Sequence, residues 1–350
     1  MPYSVLMMGA SYGSLLATKM ALAGHNVTLV CLPEEVALFN ANGARIRIRP
    51  RGQDEFVELN SQAGPGKLDA AGPGDVDPAN YDMVGLAMQE PQYSAPPVRD
   101  LLARVGAARK PIMSIMNMPP LPFLTRIPGV DAKTIAPAFT EASVWDPINP
   151  DLITLASPDP QAMRPPEEPL NLLQVNLPTN FKVAPFADAA HTAMMAEMER
   201  DITGLRFGSD QIELPVKLKV HQSLFVPLAK WAMLITGNYR CVTAGGPVAI
   251  KDAVHGDLDL SGRIYAAVCT LCESLGADPA DMVPFAKYAA AAESLIRPSS
   301  AARALGAGAK NIERVDKLVD ILAKAKGIEI PTLSDTVAIV DATLAANRPA

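Results

Sequence analysis

The chain has 350 residues, 49% of them hydrophobic, with 31 Lys+Arg against 37 Asp+Glu and a net charge of −6. This hydrophobic content excludes a disordered chain, and the length accommodates two domains. The acidic balance and the lack of a basic tract exclude nucleic acid and an anionic membrane surface as expected partners. Four cysteines are too few for a disulfide framework, so a reducing, cytoplasmic setting is expected. No apolar run reaches spanning length, and no positive charge precedes the apolar start, so neither a membrane span nor a signal peptide is expected.

Residues 3–8 (YSVLMM) read as a short buried strand, and 9–14 (GASYGS) as a small-residue turn. Residues 15–23 have helical composition, Gly24-His25-Asn26 stops that helix, and 27–31 (VTLVC) form a β-branched strand. A strand–turn–helix–strand unit of this kind binds dinucleotides. Small residues let the backbone approach a pyrophosphate, and the helix N-terminus supplies free N–H groups and positive dipole charge. Gly9, Ala10, Ser11, Tyr12 and Gly13 are the cofactor-binding candidates. The glycine spacing departs from G-x-G-x-x-G. Counting back from Gly13 places the earlier glycines at Met8 and Ala10; alternatively Gly9 is the first, in a loop one residue shorter with Ser11 in second place. The second strand ends Val30-Cys31-Leu32-Pro33, with neither the acid that holds ribose hydroxyls nor the arginine that accepts a 2′-phosphate. Glu34 and Glu35 follow, either to reach the ribose or as acids at a helix N-terminus.

Residues 45–59 alternate like a β-ribbon, and 64–80 read as a surface loop. A strand at 82–88, a helix at 94–106 and a strand at 111–117 continue the alternation. The expected fold is α/β, an N-terminal Rossmann-like doubly wound parallel sheet followed by an all-helical C-terminal domain. Residues 146–169 hold seven prolines, which predicts an extended excursion or lid without regular helix or central strand. Trp145 beside it either closes over a substrate or packs locally. A helix is expected at 188–203, then an all-helical pattern at 217–234, 261–276, 279–296, 309–327 and 331–347. The predicted domains are 1–205 and 206–350. Cys269 and Cys272 fall mid-helix in an apolar run, and the four histidines have no ligand spacing, so no metal site is expected.

Three stretches resemble the ketopantoate reductase (2-dehydropantoate 2-reductase) family: GSLLATKMALAGHNVTLV with LFNANGARI, then KLKVHQSLFVPLA, and finally RPSSAARAL with NIERVDKLVDILAKAKGIEIPTLSDTV. The resemblance implies a lysine that opens the first helix of the C-terminal domain and protonates the carbonyl oxygen as hydride arrives; Lys217 is matched to it. Asparagines four and eight residues later are replaced by His221 and Phe225. His221 is then a general acid, a carboxylate binder or a structural histidine. The resemblance further matches the family's substrate serine to Ser300 and its glutamate to Glu313. Asn117 takes the place of an asparagine that contacts nicotinamide or substrate, Gln89 that of a lysine, and Leu32 that of the NADP arginine. Asn238 is expected either at the pocket mouth or as a helix C-cap.

The expected function is an NAD(P)-dependent oxidoreductase acting on a small 2-oxo acid or related carbonyl compound other than ketopantoate, with Lys217 and His221 catalytic and Ser300, Glu313 and Asn238 binding substrate. NADP and NAD both stay open. The alternatives are an opine-dehydrogenase-like imine reductase and a non-redox isomerase or ligand sensor on the same scaffold. The helical half is suited to a homodimer.

Overall fold

The computed structural model describes residues 2–209 and 211–348. The chain forms two compact units. One comprises the chain up to Gln222 without residues 89–91 and 124–143; the other comprises those two segments and everything from Ser223 onward.

The first unit is built on an eight-stranded sheet. Its strands are β1 (Ser4–Met8), β2 (Asn26–Val30), β5 (Leu68–Ala71), β6 (Met83–Leu86), β7 (Ile112–Ile115), β8 (Ile153–Ser157), β11 (Phe181–Val183) and β14 (Leu218–Val220). They lie in the order β14-β11-β8-β7-β6-β1-β2-β5. From β5 to β8 the strands are parallel, and β11 turns antiparallel to β8 with β14 parallel to β11. The inner strands β6 and β7 are buried along their whole length, and β1 along all but its first residue, because both faces of the sheet are covered there. A second sheet of β3 (Arg45–Ile48), β4 (Val57–Asn60), β9 (Gln161–Met163) and β10 (Leu172–Leu177) has the order β4-β3-β10-β9, and a two-stranded antiparallel ladder of β12 (Arg206–Phe207) and β13 (Ile212–Glu213) precedes β14. Helix α1 (Ala10–Leu22) packs on β1 and β2 and also on β3 and β10, which buries ten of its residues. Helices α2 (Pro33–Asn42) and α3 (Pro96–Ala108) complete the alternation.

The second unit is helical. After the single turns α4 (Leu121–Leu124) and α5 (Ala132–Ile135), and the long α6 (Ala189–Thr203) of the first unit, come α7 (Lys230–Met233), α8 (Ile250–His255), α9 (Leu258–Ser274), α10 (Phe285–Ala292), α11 (Ser300–Gly306), α12 (Val315–Ala325) and α13 (Leu333–Asn347). Cys269 and Cys272 lie inside α9, three residues apart, Cys272 buried and Cys269 half-buried. Among the described residues, no helix is long and apolar enough to cross a membrane.

Four sequence expectations are corrected. The proline-rich stretch contains a central strand, β8, whose five residues are all buried. Its prolines flank the run ITLAS without entering it, so no ladder N–H is lost. The expected helix at 217–234 is instead strand β14, a loop, and a helix beginning only at Pro227. The alternation of KLKV puts Leu218 in the core, and the adjacent sheet edge decides for strand. The loop at 64–80 holds β5, an edge strand on β2. The helix at 279–296 is cut at Pro284, which caps α10. Trp145 packs locally, 1% exposed, its ring 5.2 Å from that of Tyr93.

Candidate functional site

In the first unit, Gly9 turns the chain from β1 into α1. Its φ is +108°, and a Cβ there would lie 2.6 Å from Met88 Cγ and 2.8 Å from the Ala87 carbonyl oxygen, so only glycine fits. The turn is held by Gly9 N donating to Val30 O at 3.0 Å and Ala87 N to Met8 O at 2.8 Å. Gly13 serves a second purpose. A Cβ would meet Ala87 Cβ and Met7 Cγ, each at 2.9 Å, so its absence lets α1 seat on the sheet. No side chain caps the N-terminus of α1, and Ser11 beside it is exposed. The first-turn amides and the dipole of a 13-residue helix therefore face outward as an anion site. The arrangement fits a dinucleotide pyrophosphate.

Two side chains tie a distant segment to this unit. The Tyr12 hydroxyl donates to Pro160 O at 2.6 Å, and its ring sits edge-on to Phe181. Burial, with Asp159 adding to it, raises the Tyr12 phenol well above its ordinary value and keeps it a neutral donor. Arg164 Nη1 donates to Glu35 Oε1 at 2.5 Å. Glu35 Oε2 accepts Leu32 N at 3.1 Å, closing the first turn of α2. Arg164 Nη2 is buried and has no hydrogen-bond partner. Leu32 itself is 60% exposed.

The second unit centres on one irregular helix. A 3₁₀ turn, Pro227–Ala229, runs into α7, which runs into a π-helix, Leu234–Asn238. The wider turn is closed by Tyr239 N donating to Leu234 O at 3.0 Å. π-Turns are rare and concentrate at functional sites. The bulge is fixed by its neighbours. The Tyr288 hydroxyl donates to Met233 O at 3.1 Å and lies where a Cβ on Gly237 would fall. Lys230 opens α7. Asn238 ends the π-turn, its carbonyl accepting Ser299 Oγ at 2.6 Å. The same Ser299 oxygen accepts Ala302 N at 3.1 Å and so caps α11. The Tyr239 hydroxyl donates to Glu313 O at 2.5 Å and accepts Val315 N at 3.1 Å. Glu90 is fully buried and accepts from Thr140, through Oγ1 at 2.8 Å and N at 3.1 Å. Burial raises its pKa to about 7 against those hydrogen bonds, and the nearby Glu313 carboxylate raises it further.

No family model matches the sequence, and no curated protein does. Solved structures match over nearly the full length. A 2-dehydropantoate 2-reductase from Methylococcus capsulatus is 12% identical, with 99% of this chain and 98% of that one covered at a TM-score of 0.68. The chain has the ketopantoate reductase fold. A dimeric ketopantoate reductase from Staphylococcus aureus covers 99% of this chain and 100% of its own at 11% identity and a TM-score of 0.61. A D-mandelate dehydrogenase in ternary complex with NADH and anilino(oxo)acetate covers 98% and 99% at 12% identity and a TM-score of 0.62.

Within the ketopantoate reductase fold the sequence candidates fall as follows. Gly9, Ala10, Ser11, Tyr12 and Gly13 form the turn and first helical residues after β1, and Leu32 follows β2. Asn117 lies two residues beyond β7, and Gln89 three residues beyond β6. Lys217 opens no helix. It precedes β14, its N donating to Asn180 Oδ1 at 2.9 Å and its Nζ paired with Glu213. His221 continues the ladder, N to Val183 O at 2.8 Å. Four residues of extended chain separate Lys217 and His221 by on the order of 13 Å, so the shared helix face expected for them does not exist. Ser300 is the exposed first residue of α11, whereas the buried, hydrogen-bonded serine is Ser299. Asn238 and Glu313 meet the same helix end, through Ser299 and Tyr239 respectively. Sequence reasoning missed Lys230 and Glu90. The signal for Lys230 was available: Pro227 marks a helix start, and Asn238 lies eight residues after Lys230, two turns along the same helix.

Proposed function

We propose that the protein is an NAD(P)-dependent oxidoreductase that reduces the carbonyl of a small 2-oxo acid. The observation that carries the reading is the uncapped N-terminus of α1 behind the Gly9 turn, a backbone anion site at the end of the first strand of a doubly wound sheet. The nicotinamide supplies hydride when bound. The first-turn amides of α1 hold the pyrophosphate, and Asn117, beyond β7, orients nicotinamide or substrate. Lys230 replaces Lys217 as the proton donor, since it is Lys230 that lies in the first turns of the helix beginning at Pro227, where the lysine-bearing helix was expected. Its ammonium stabilises the developing alkoxide and gives it a proton. Asn238 takes the amide-bearing position two turns on, while the position one turn on is Leu234, so one hydrogen-bonder of the family pattern is absent. Ser299 and Tyr239 position this helix end against the segment carrying Glu313, which binds the substrate. A substrate other than ketopantoate follows from the lost amide. The dimeric state of the Staphylococcus aureus structure supports a homodimer here as well.

Nicotinamide fluorescence titrations with NADPH and NADH test the reading. Saturable binding of a reduced cofactor, followed by its oxidation on adding 2-oxo acids, is expected. No binding of either at millimolar concentration overturns it.

A further inference from the structure

We propose that Arg164 is the residue that recognises the 2′-phosphate of NADP(H), delivered to the end of β2 from a distant strand; this rests on the dinucleotide reading above. In a βαβ nucleotide unit the adenosine ribose is read at the C-terminal end of the second strand, by an acid for NAD and a cation for NADP. Here the first side chain at that place, Leu32, is apolar and exposed. The nearest buried acid, Glu35, has both oxygens engaged, one by Leu32 N and one by Arg164. It is therefore poorly placed to take two ribose hydroxyls.

Arg164 lies 129 residues further along the chain than Glu35. Its backbone is anchored by the residues that precede it. Met163 before it pairs with Gln174 in the second sheet, and Pro160 is tied to Tyr12 at the start of α1. The guanidinium thus lies at the turn that follows β2, against Glu35, and its field is felt at Cys31, the residue before Leu32. One arm of the fork, Nη1, is used by Glu35. The other, Nη2, is buried without a partner. A desolvated donor left unmade is costly, and a guanidinium has five N–H groups arranged for an oxyanion. A phosphate monoester supplies two or three acceptor oxygens and forms short, charge-assisted bonds with such a fork. Glu35 then holds the fork in place when no phosphate is bound.

Competitive titration decides the matter. The wild type, Arg164→Met, Arg164→Lys and Glu35→Gln are titrated with NADPH and NADH, with 2′,5′-ADP and 5′-ADP as competitors, and thermal melts are recorded alongside. The wild type is expected to bind NADPH at least about tenfold tighter than NADH, and 2′,5′-ADP tighter than 5′-ADP. Arg164→Met is expected to weaken NADPH by roughly 10- to 100-fold and to leave NADH unchanged. Arg164→Lys keeps the charge but loses the fork, and is expected to fall between the two. Glu35→Gln is expected to retain the NADPH preference. A wild type that prefers NADH overturns the proposal. So does an Arg164 variant that melts like the wild type and changes both affinities equally or neither. If Arg164→Met does not fold, Arg164→Lys with an undiminished NADPH preference overturns it equally. Failure of the wild type to bind either cofactor overturns the dinucleotide reading itself, which is a different result.

Discussion

Tyr239 and Glu313 are joined by a hydrogen bond from the phenol of one to the main-chain carbonyl of the other, at 2.5 Å. The same hydroxyl accepts Val315 N, so one side chain pins the segment 313–315 to the end of the π-turn. Burial keeps the phenol neutral and a donor, its pKa driven well above the ordinary value. Tyr239→Phe leaves a buried carbonyl and a buried amide unpaired, at a cost of about 2–3 kcal/mol. Because Glu313 then loses its fixed position, the oxo-acid KM should rise more than kcat falls. Urea unfolding and steady-state kinetics on the one variant check both effects.

Glu90 predicts a pH dependence. Burial raises its folded pKa to about 7, above the ordinary 4.5, so the folded state holds an extra proton between those values. Stability is therefore expected to fall as pH rises from about 5 to about 8, by an amount on the order of 2–3 kcal/mol. Glu90→Gln should flatten that slope. Thr140→Val should move the fall to higher pH, because the hydroxyl bond that favours the carboxylate is gone. Denaturation midpoints at four or five pH values decide it.

Lys19 predicts the opposite slope. It is fully buried in α1, with its Nζ donating to Pro215 O at 3.0 Å. Burial, and then the Lys217 charge, lowers its pKa to about 7 from 10.5. The unfolded chain binds the proton more strongly over that range, so the lysine's destabilisation is full below pH 7 and relieved as pH rises towards 10. Lys19→Met should raise the thermal midpoint at pH 6, by the equivalent of a few kcal/mol in order of magnitude, with a much smaller gain at pH 10. Equal gains at both pH values would count against the assignment.

Gly9→Ala tests the turn. The new methyl meets Met88 and the Ala87 carbonyl at a backbone conformation that L-residues rarely adopt. A loss of about 2–4 kcal/mol is expected, with cofactor affinity falling at the same time. Gly52→Ala is the control. Its φ is also positive, at +78°, but nothing lies within 4 Å, so only the smaller backbone strain applies and cofactor binding should be unaffected.

The order of elements was legible because the apolar runs of β1, β6 and β7 and the start–stop residues around α1 act locally. The doubly wound sheet and the helical second half follow from them. The edges of that pattern were not legible. β8 hides among seven prolines, and β14 carries the KLKV pattern that composition alone assigns to a helix. Whether KLKV pairs or coils is settled by a partner strand, β11, some 35 residues away in sequence. With it the helix start shifts: Lys217 precedes a strand, and the helix expected there begins at Pro227–Lys230. Arg164 and Glu90 were invisible for a related reason. Each acquires its role from a long-range neighbour, Glu35 in one case and Thr140 in the other, and no spacing in the sequence announces either pair.

The most direct test compares Lys230→Met with Lys217→Met in oxo-acid reduction at saturating cofactor. Lys217 pairs with an exposed glutamate on the first unit and should be dispensable, with kcat and melting temperature near those of the wild type. Lys230→Met should bind cofactor normally and lose roughly 10²- to 10⁴-fold in kcat, the contribution of a positioned proton donor. A Lys230→Met protein that keeps its kcat, or a Lys217→Met protein that loses it, contradicts the account.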